Sequence, residues 1–321
     1  MHVRARGKLR RICLILALVL AAAPAAAADP PRVVVTLKPV QSLAAAVMAG
    51  VGRPELLVRG TAAPTSFALR PAEVRMMNSA TIVVFVSEAL ESFIVRALEN
   101  LPQDTRVVEL MAADGLRLLP QRLGAHWVED DGPRTSPRPL GTDPGAEDLD
   151  TDPYIWLDPQ NARAIASALV DELSDADPGR AMTYAHNLQA LEQKLIQLDQ
   201  EIAKAMEGVK RAPFLVLHDA FQYFERRYDL TAAGAVTRRP DVRPSPRRVS
   251  QARARITEAG AVCVFGEPQY PQAHAKMVSD GTPAKLGQLD ALGATLPETA
   301  EAYPMLLRGL AEGFKACLGA K

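Results

Sequence analysis

Several side chains of this sequence stand where a strand would deliver them for chemistry. His218 closes the apolar run "FLVLH", Glu267 closes "AVCVFGE" and Asp290 closes "AKLGQLD". Tyr154 and Asp152 stand where a long irregular segment returns to regular structure. Open α/β sheets present ligand-binding side chains at the carboxyl ends of their strands. An imidazole near carboxylates can hold a metal ion, act as a base, or be a core histidine with its hydrogen bond satisfied. For a single histidine after a strand, the structural role is the commoner outcome. The catalytic reading has little else to stand on. Adjacent strand residues point to opposite faces, so His218 and Asp219 do not form a ready pair. No G-x-S-x-G elbow, P-loop or G-x-G-x-x-G follows a strand. The sequence is read as a non-enzyme, with the metal and structural readings of His218 both open.

The elements that must position these groups alternate in type. Residues 33–37 read as a buried strand and 43–51 as a helix. "PELLVRG" is a short strand candidate. "LRPAEVRMMNSATIVVFVSEALESFIVRAL" reads helix, strand 81–86, helix, and 105–110 is a further strand. Val- and Ile-rich strands separated by helical stretches indicate a parallel α/β sheet. Residues 119–152 break the pattern with Pro, Gly and acids, and read as a long loop. Residues 159–173 are helical again. The clearest helix follows, with Asp177 as N-cap and Pro178 at the first position. Tyr184, Leu188, Leu191, Leu195, Leu198 and Ile202 recur every three or four residues, an apolar stripe on one face. From 178 to about 208 this helix would run roughly 45 Å at 1.5 Å per residue. His186 lies off the stripe and should face solvent. The α/β alternation then restarts, with strands at 214–218, "LTAAGAV", "AVCVFGE" and "AKLGQLD", a helix opening at Ser245-Pro246, and a last helix at 300–318. The predicted organisation is a leader (1–28), an α/β lobe (29–177, with the acidic loop 119–152), a linking helix (178–209) and a second α/β lobe (210–321).

Composition narrows the class. The chain has 321 residues, with 48% hydrophobic and 23% charged, an ordinary globular balance. "MHVRARGKLRR" is basic, "ICLILALVLAAAPAA" is apolar, and "AAAADP" offers an A-x-A cleavage site after Ala28, the pattern of a secretory signal peptide. At about 15 residues the apolar stretch is short of the roughly 20 that a span needs. Cys13 lies inside that stretch and not at its cleavage end, so no lipid anchor is expected. Without the leader, 32 basic residues face 37 acidic ones, a net charge of about −5. That balance does not suggest a nucleic-acid-binding protein. Cys263 and Cys317 remain, and an even pair in an exported chain reads as a disulfide rather than two free thiols. It would pin the C-terminal segment to the strand "AVCVF".

The order of segments carries a resemblance. "VVVTLKPVQSLAAAVMAGVGRPELLV", "SFALRPAEV", "DPYIWLDPQNA", "LVLHDAFQYFE", "RPSPRR", "GAVCVFGEPQ" and "LDALGA" follow one another along nearly the whole exported chain. In this the sequence resembles the ZnuA-like solute-binding proteins of zinc and manganese ABC importers. The resemblance implies two α/β lobes joined by one long rigid helix, with a metal held in the cleft. It implies a periplasmic role, without a lipid anchor, as a monomer that captures a divalent metal ion, zinc by type, and passes it to an ABC permease in the inner membrane. It also implies the Cys263–Cys317 bridge.

His218 stands at the family's third histidine ligand, and Asp290 where many relatives supply a carboxylate. The other two histidine positions have changed, to Thr65 and Tyr154, and Gln41 stands where zinc-type relatives often have histidine. The acidic loop has one histidine, His126. Zinc favours four tetrahedral ligands, chiefly imidazole, thiolate or carboxylate. A threonine hydroxyl is a poor substitute, and a tyrosine would have to lose a proton whose unperturbed pKa is about 10. The expected site is therefore open, with His218 and Asp290 as ligands and water or Glu267 completing the shell. Two rival readings follow from the same departures: a cleft that takes a non-metal or chelated ligand, and an exported scaffold for protein–protein contact. The acids between 129 and 152 read as a solvated face that could collect cations weakly. Arg238, Arg239, Arg243, Arg247 and Arg248 read as surface charge leading into a helix.

Overall fold

The computed structural model describes residues 29–122, 151–237 and 240–319. The expected leader, most of the acidic loop with His126, and Arg238 and Arg239 lie outside the described residues. Two parallel sheets of four strands each organise the chain. The first is built from β1 (Val33–Val35), β2 (Glu55–Leu56), β3 (Ile82–Phe85) and β4 (Arg106–Glu109), in the order β2-β1-β3-β4. The second uses β5 (Phe214–His218), β6 (Ala232–Thr237), β7 (Cys263–Gly266) and β8 (Lys285–Gln288), in the order β6-β5-β7-β8. The two lobes thus share one topology. In each, the chain reverses its direction of travel across the sheet between the first and third strands, so the crevice at that switch point is where a ligand is expected. His218 ends β5 and Glu267 follows β7, which puts both at the switch point of the second sheet.

The central strands are apolar along their whole length because helices cover both faces of a parallel sheet. Val33–Val35 and Ile82–Phe85 are buried throughout. Helix α1 (Lys38–Val47) starts five residues earlier than the apolar periodicity suggests, since Pro39 in its first turn has the dihedral a helix start requires. Helix α2 spans Pro71–Asn78, and α3 is only Val95–Leu98. A longer α3 was expected, but the Glu91 carboxylate turns back to accept hydrogen bonds from Val86 N (2.6 Å) and Ser87 N (3.0 Å), which holds residues 87–91 in a turn.

Helix α4 (Pro159–Ala176) begins at Asp158, whose side chain accepts from Gln160 N, and α5 (Ala181–Met206) is the predicted long helix. Tyr184, Leu191, Leu195, Leu198, Ile202 and Met206 are buried along it, as the stripe requires, and His186 is exposed. The helix starts three residues later than expected. Asp177 closes α4 and opens a 3-10 turn over Pro178–Arg180, with its Oδ2 taking hydrogen bonds from Arg180 Nη1 and the Tyr184 hydroxyl, both at 2.8 Å. The 26 residues of α5 span about 39 Å. In the second lobe, α6 is Gln222–Tyr228, α7 is Pro246–Ala259, α8 is Gln272–Ser279 and α9 is Ala302–Leu318. Ser245 caps α7 by accepting from Arg248 N at 3.3 Å.

Helix α9 is locked onto the second sheet in two ways. Phe314 meets the rings of Phe214, Phe224 and Phe265 at centroid distances of 5.1–5.4 Å. The Cys263–Cys317 disulfide then ties the helix to β7 across 54 residues of sequence. Closing a loop of that length is worth about 4 kcal/mol in the chain-entropy picture. A Cys263→Ser/Cys317→Ser double variant should lose stability on that scale in urea unfolding. Thiol titration in denaturant of protein lacking residues 1–28 should find no free thiol, and two reactive thiols would refute the bridge.

Candidate metal-binding cleft

The lobes meet along a seam fixed by buried polar contacts. Lys38, at the start of α1, donates from Nζ to Ala294 O (2.8 Å) and Leu296 O (2.7 Å) in the turn after β8. Ser42 Oγ donates to Ala300 O (3.0 Å) and accepts from Tyr303 N (2.8 Å). Trp156 Nε1 donates to Ala291 O (2.8 Å), and the Tyr303 hydroxyl donates to Trp156 O (2.8 Å). These bonds fix the Asp290 turn against the segment that carries Tyr154. That segment is itself placed by an antiparallel bridge between Pro120 and Thr151 and by the Asp152 N to Leu119 O bond (2.9 Å).

His218 is 7% exposed and lies between two tyrosines. Its ring meets Tyr154 edge-on at 5.5 Å and Tyr270 edge-on at 5.8 Å. Its Nδ1 is 3.3 Å from Glu267 Oε1, near enough for an ion pair but misaligned for a hydrogen bond, and neither atom has another partner among the described residues. Burial works against a charge on His218, but the Glu267 carboxylate, with Asp219 and Asp152 farther off, outweighs it and holds the imidazole pKa above its ordinary 6.5. Burial also pushes the Glu267 carboxyl up, against the pull of His218. Each group thus supports the charged form of the other against the cost of burying it.

The neighbouring residue faces away. Asp219 pairs with Arg122, which also binds Glu225 Oε2 through Nη1 at 2.6 Å. His218 and Asp219 thus diverge as strand alternation requires. Asp152 is buried, accepts from Tyr154 N (2.9 Å), and is pushed up to about 7 by burial and by the Asp219 charge.

The other candidates are placed as follows. Burial, with Tyr270 and Glu267 nearby, drives the Tyr154 phenol far above 10, so it stays neutral. Thr65 lies in a 3-10 turn (Pro64–Ser66) and meets the Tyr270 hydroxyl across the cleft. Asp290 is heavily engaged: Oδ1 accepts from Gln269 Nε2 (2.7 Å), Leu292 N (3.1 Å) and Gly293 N (3.0 Å), and Oδ2 from Ala294 N (2.6 Å). Its charge is felt at Glu267. Gln41 is buried in α1 and donates to Pro54 O at 3.3 Å, a contact within its own lobe. The structure thus groups His218, Glu267, Tyr154 and Thr65, the last through Tyr270. Among the described residues no three His, Cys, Asp or Glu side chains converge as a metal-binding group.

Sequence reasoning missed Tyr270, Gln269 and Lys38. The first two follow Glu267 within three residues, in the loop at the carboxyl end of β7, a position that could have flagged them.

Two parallel α/β lobes of matching topology, spanned by one long helix and opening their strand ends onto a shared cleft, define a two-lobed solute-binding protein. The chain belongs to the family described as zinc-uptake complex component A, periplasmic, which matches residues 33–317. It is 36% identical over 310 residues to a high-affinity zinc uptake system protein ZnuA of Brucella abortus (strain 2308), covering 91% of this chain and 93% of the relative. A protein so named from Yersinia pestis is 30% identical over 289 residues, covering 89% and 91%. The fold is likewise that of a ZnuA crystal structure (TM-score 0.73, 21% identity, 90% of this chain and 100% of the other). It also matches the periplasmic zinc-binding protein TroA of Treponema pallidum (TM-score 0.70, 18% identity, 90% and 99%).

Proposed function

We propose that this protein is the periplasmic solute-binding component of a zinc-type ABC importer, capturing zinc between its lobes and presenting it to an inner-membrane permease. The observation that carries the reading is His218, buried at a sheet switch point with Nδ1 turned to the Glu267 carboxylate. A histidine with a carboxylate beside one nitrogen, here an ion-pair contact of 3.3 Å, has the other left to offer a metal. The family relationship supplies the cargo and the permease. Asp290 is the second ligand in this reading, through Oδ2, which takes one hydrogen bond among the described residues. Glu267 acts mainly by orienting His218. Thr65 and Tyr154 contribute neutral hydroxyls, so the site holds a bare ion less firmly than a closed four-ligand site.

Equilibrium dialysis with metal analysis at pH 8 should find one zinc per protein. His218→Ala should weaken that binding by roughly 100-fold, the scale of one lost ligand. Zinc needs the neutral imidazole, and Glu267 holds the ring's proton more firmly than water does. Affinity should therefore begin to fall above pH 6.5 as the medium is acidified. Glu267→Gln should move that fall to lower pH. Unchanged zinc affinity in His218→Ala would place the metal outside this cleft.

A further inference from the structure

His218 lies between the rings of Tyr154 and Tyr270 and keeps 7% of its surface. The two tyrosines are themselves buried. A packed interior leaves no passage for an ion and the waters it carries. Zinc therefore reaches or leaves this imidazole only when something beside it moves. The lobes are poor candidates for that movement, because Lys38, Ser42, Trp156 and Tyr303 fix their seam with hydrogen bonds of 2.7–3.0 Å. Tyr154 is poorly placed as well. Its ring packs on Trp156 at 5.2 Å, its N–H is held by Asp152, and Trp156 is held in turn by Ala291 O.

Tyr270 differs. Its backbone is fixed, since its N donates to Glu267 O at 3.2 Å and Pro271 follows, which favours an extended conformation at the preceding residue. Its side chain borders open space. Tyr270 helps to line a cavity of about 440 Å³ between residues 61–68 of the first lobe and 269–271 of the second. Cavities of roughly 300–1,000 Å³ hold molecules larger than a phenol ring. A change of staggered well at the first side-chain torsion moves the ring while the backbone stays in place. The hydroxyl at the tip of that ring meets Thr65, an exposed residue of the first lobe. A contact between two neutral hydroxyls holds the ring across the cleft, and solvent can replace it at Thr65. Resting on the import reading above, we propose that Tyr270 is the gate of the cleft: its ring closes over His218 when its hydroxyl meets Thr65, and swings into the cavity to let zinc reach or leave the imidazole. Thr65 is the latch of this gate, a use for a hydroxyl at that position.

The test is stopped-flow fluorescence of the purified protein at pH 8. Mixing with zinc and a zinc-responsive dye gives the association rate, and mixing the zinc-loaded protein with excess EDTA gives the dissociation rate. Tyr270→Ala, which removes the gate, should raise both rates at least about tenfold, since binding that waits on a conformational step is slowed by it. Tyr270→Phe keeps the ring and loses the latch, and should raise both rates by a smaller factor; it also serves should the alanine variant fail to fold. Ala62→Phe fills the cavity and denies the ring its open position. It should slow both rates at least about tenfold and leave their ratio, the affinity, unchanged. Ala68→Phe, at an exposed position of the same wall, is the alternative should that variant not fold. A merely structural role for Tyr270 would not let a cavity substitution shift rates without shifting affinity. Zinc bound with wild-type rates in the Tyr270 variants overturns the gate and leaves the import reading standing. Faster exchange in Tyr270→Ala with wild-type exchange in the cavity variants shows that the ring does not open into the cavity, and overturns the proposal. No zinc bound by the wild-type protein overturns both.

Discussion

Introducing histidine at both altered positions, Thr65→His with Tyr154→His, should tighten binding of free zinc by about four orders of magnitude. Apparent zinc-binding energies of closed sites, roughly 10–16 kcal/mol for four ligands, correspond to about 3 kcal/mol per ligand, or ~100-fold each. The geometry at position 154 is favourable. The Tyr154 and His218 rings are 5.5 Å apart, and two imidazoles on one tetrahedral zinc have ring centres separated by about 5 Å given Zn–N bonds near 2.0 Å. Thr65 meets the Tyr270 hydroxyl, and the Tyr270 ring packs on His218 at 5.8 Å. The exchange at 154 also removes a ring packed on Trp156 at 5.2 Å, so some stability is lost. Competition with a zinc-responsive dye would measure the gain. A double variant that binds zinc no better than wild type would show that these positions do not face His218 across a common metal.

Glu91→Gln should stabilise the fold above neutral pH by up to about 3 kcal/mol, with the gain disappearing by about pH 5. Glu91 lies six residues past β3 and turns its carboxylate back to the end of that strand, with Thr36 beside it just past β1. The carboxyl is wholly buried, and burial pushes it up to about 7 against the hydrogen bonds from Ser87 N and Val86 N. Thr36 Oγ1 and Glu91 Oε1 face one another without completing a hydrogen bond. A carboxyl whose folded pKa lies above its unfolded 4.5 takes up a proton on folding between those values. Its charge therefore costs stability above pH 7, and the cost fades as pH falls toward 4.5. Glutamine keeps the acceptor for the backbone donors, carries no charge, and can donate to Thr36. Urea unfolding of both proteins at pH 5 and pH 8 decides the matter. A difference between them that does not change with pH would contradict it.

The sequence by itself determined the fold, because each of its signals is local. Val- and Ile-rich runs become strands buried on both faces, and a three- and four-residue apolar repeat becomes the buried stripe of α5. The Cys263–Cys317 pairing was likewise legible once residues 1–28, which hold Cys13, were read as a leader, since that reading leaves one pair of cysteines. Helix ends were read less well, since Pro39, Asp177 and Glu91 set them through backbone contacts that periodicity does not record. His218 could be named as a candidate from its place at the end of a strand, but its role could not. That depended on Glu267, 49 residues away, and on Tyr154 and Tyr270 from different lobes, which only the packing of two sheets against one helix brings to a single imidazole. Lys38 was equally silent in the sequence, because its partners are backbone carbonyls more than 250 residues distant and carbonyls have no side-chain signature.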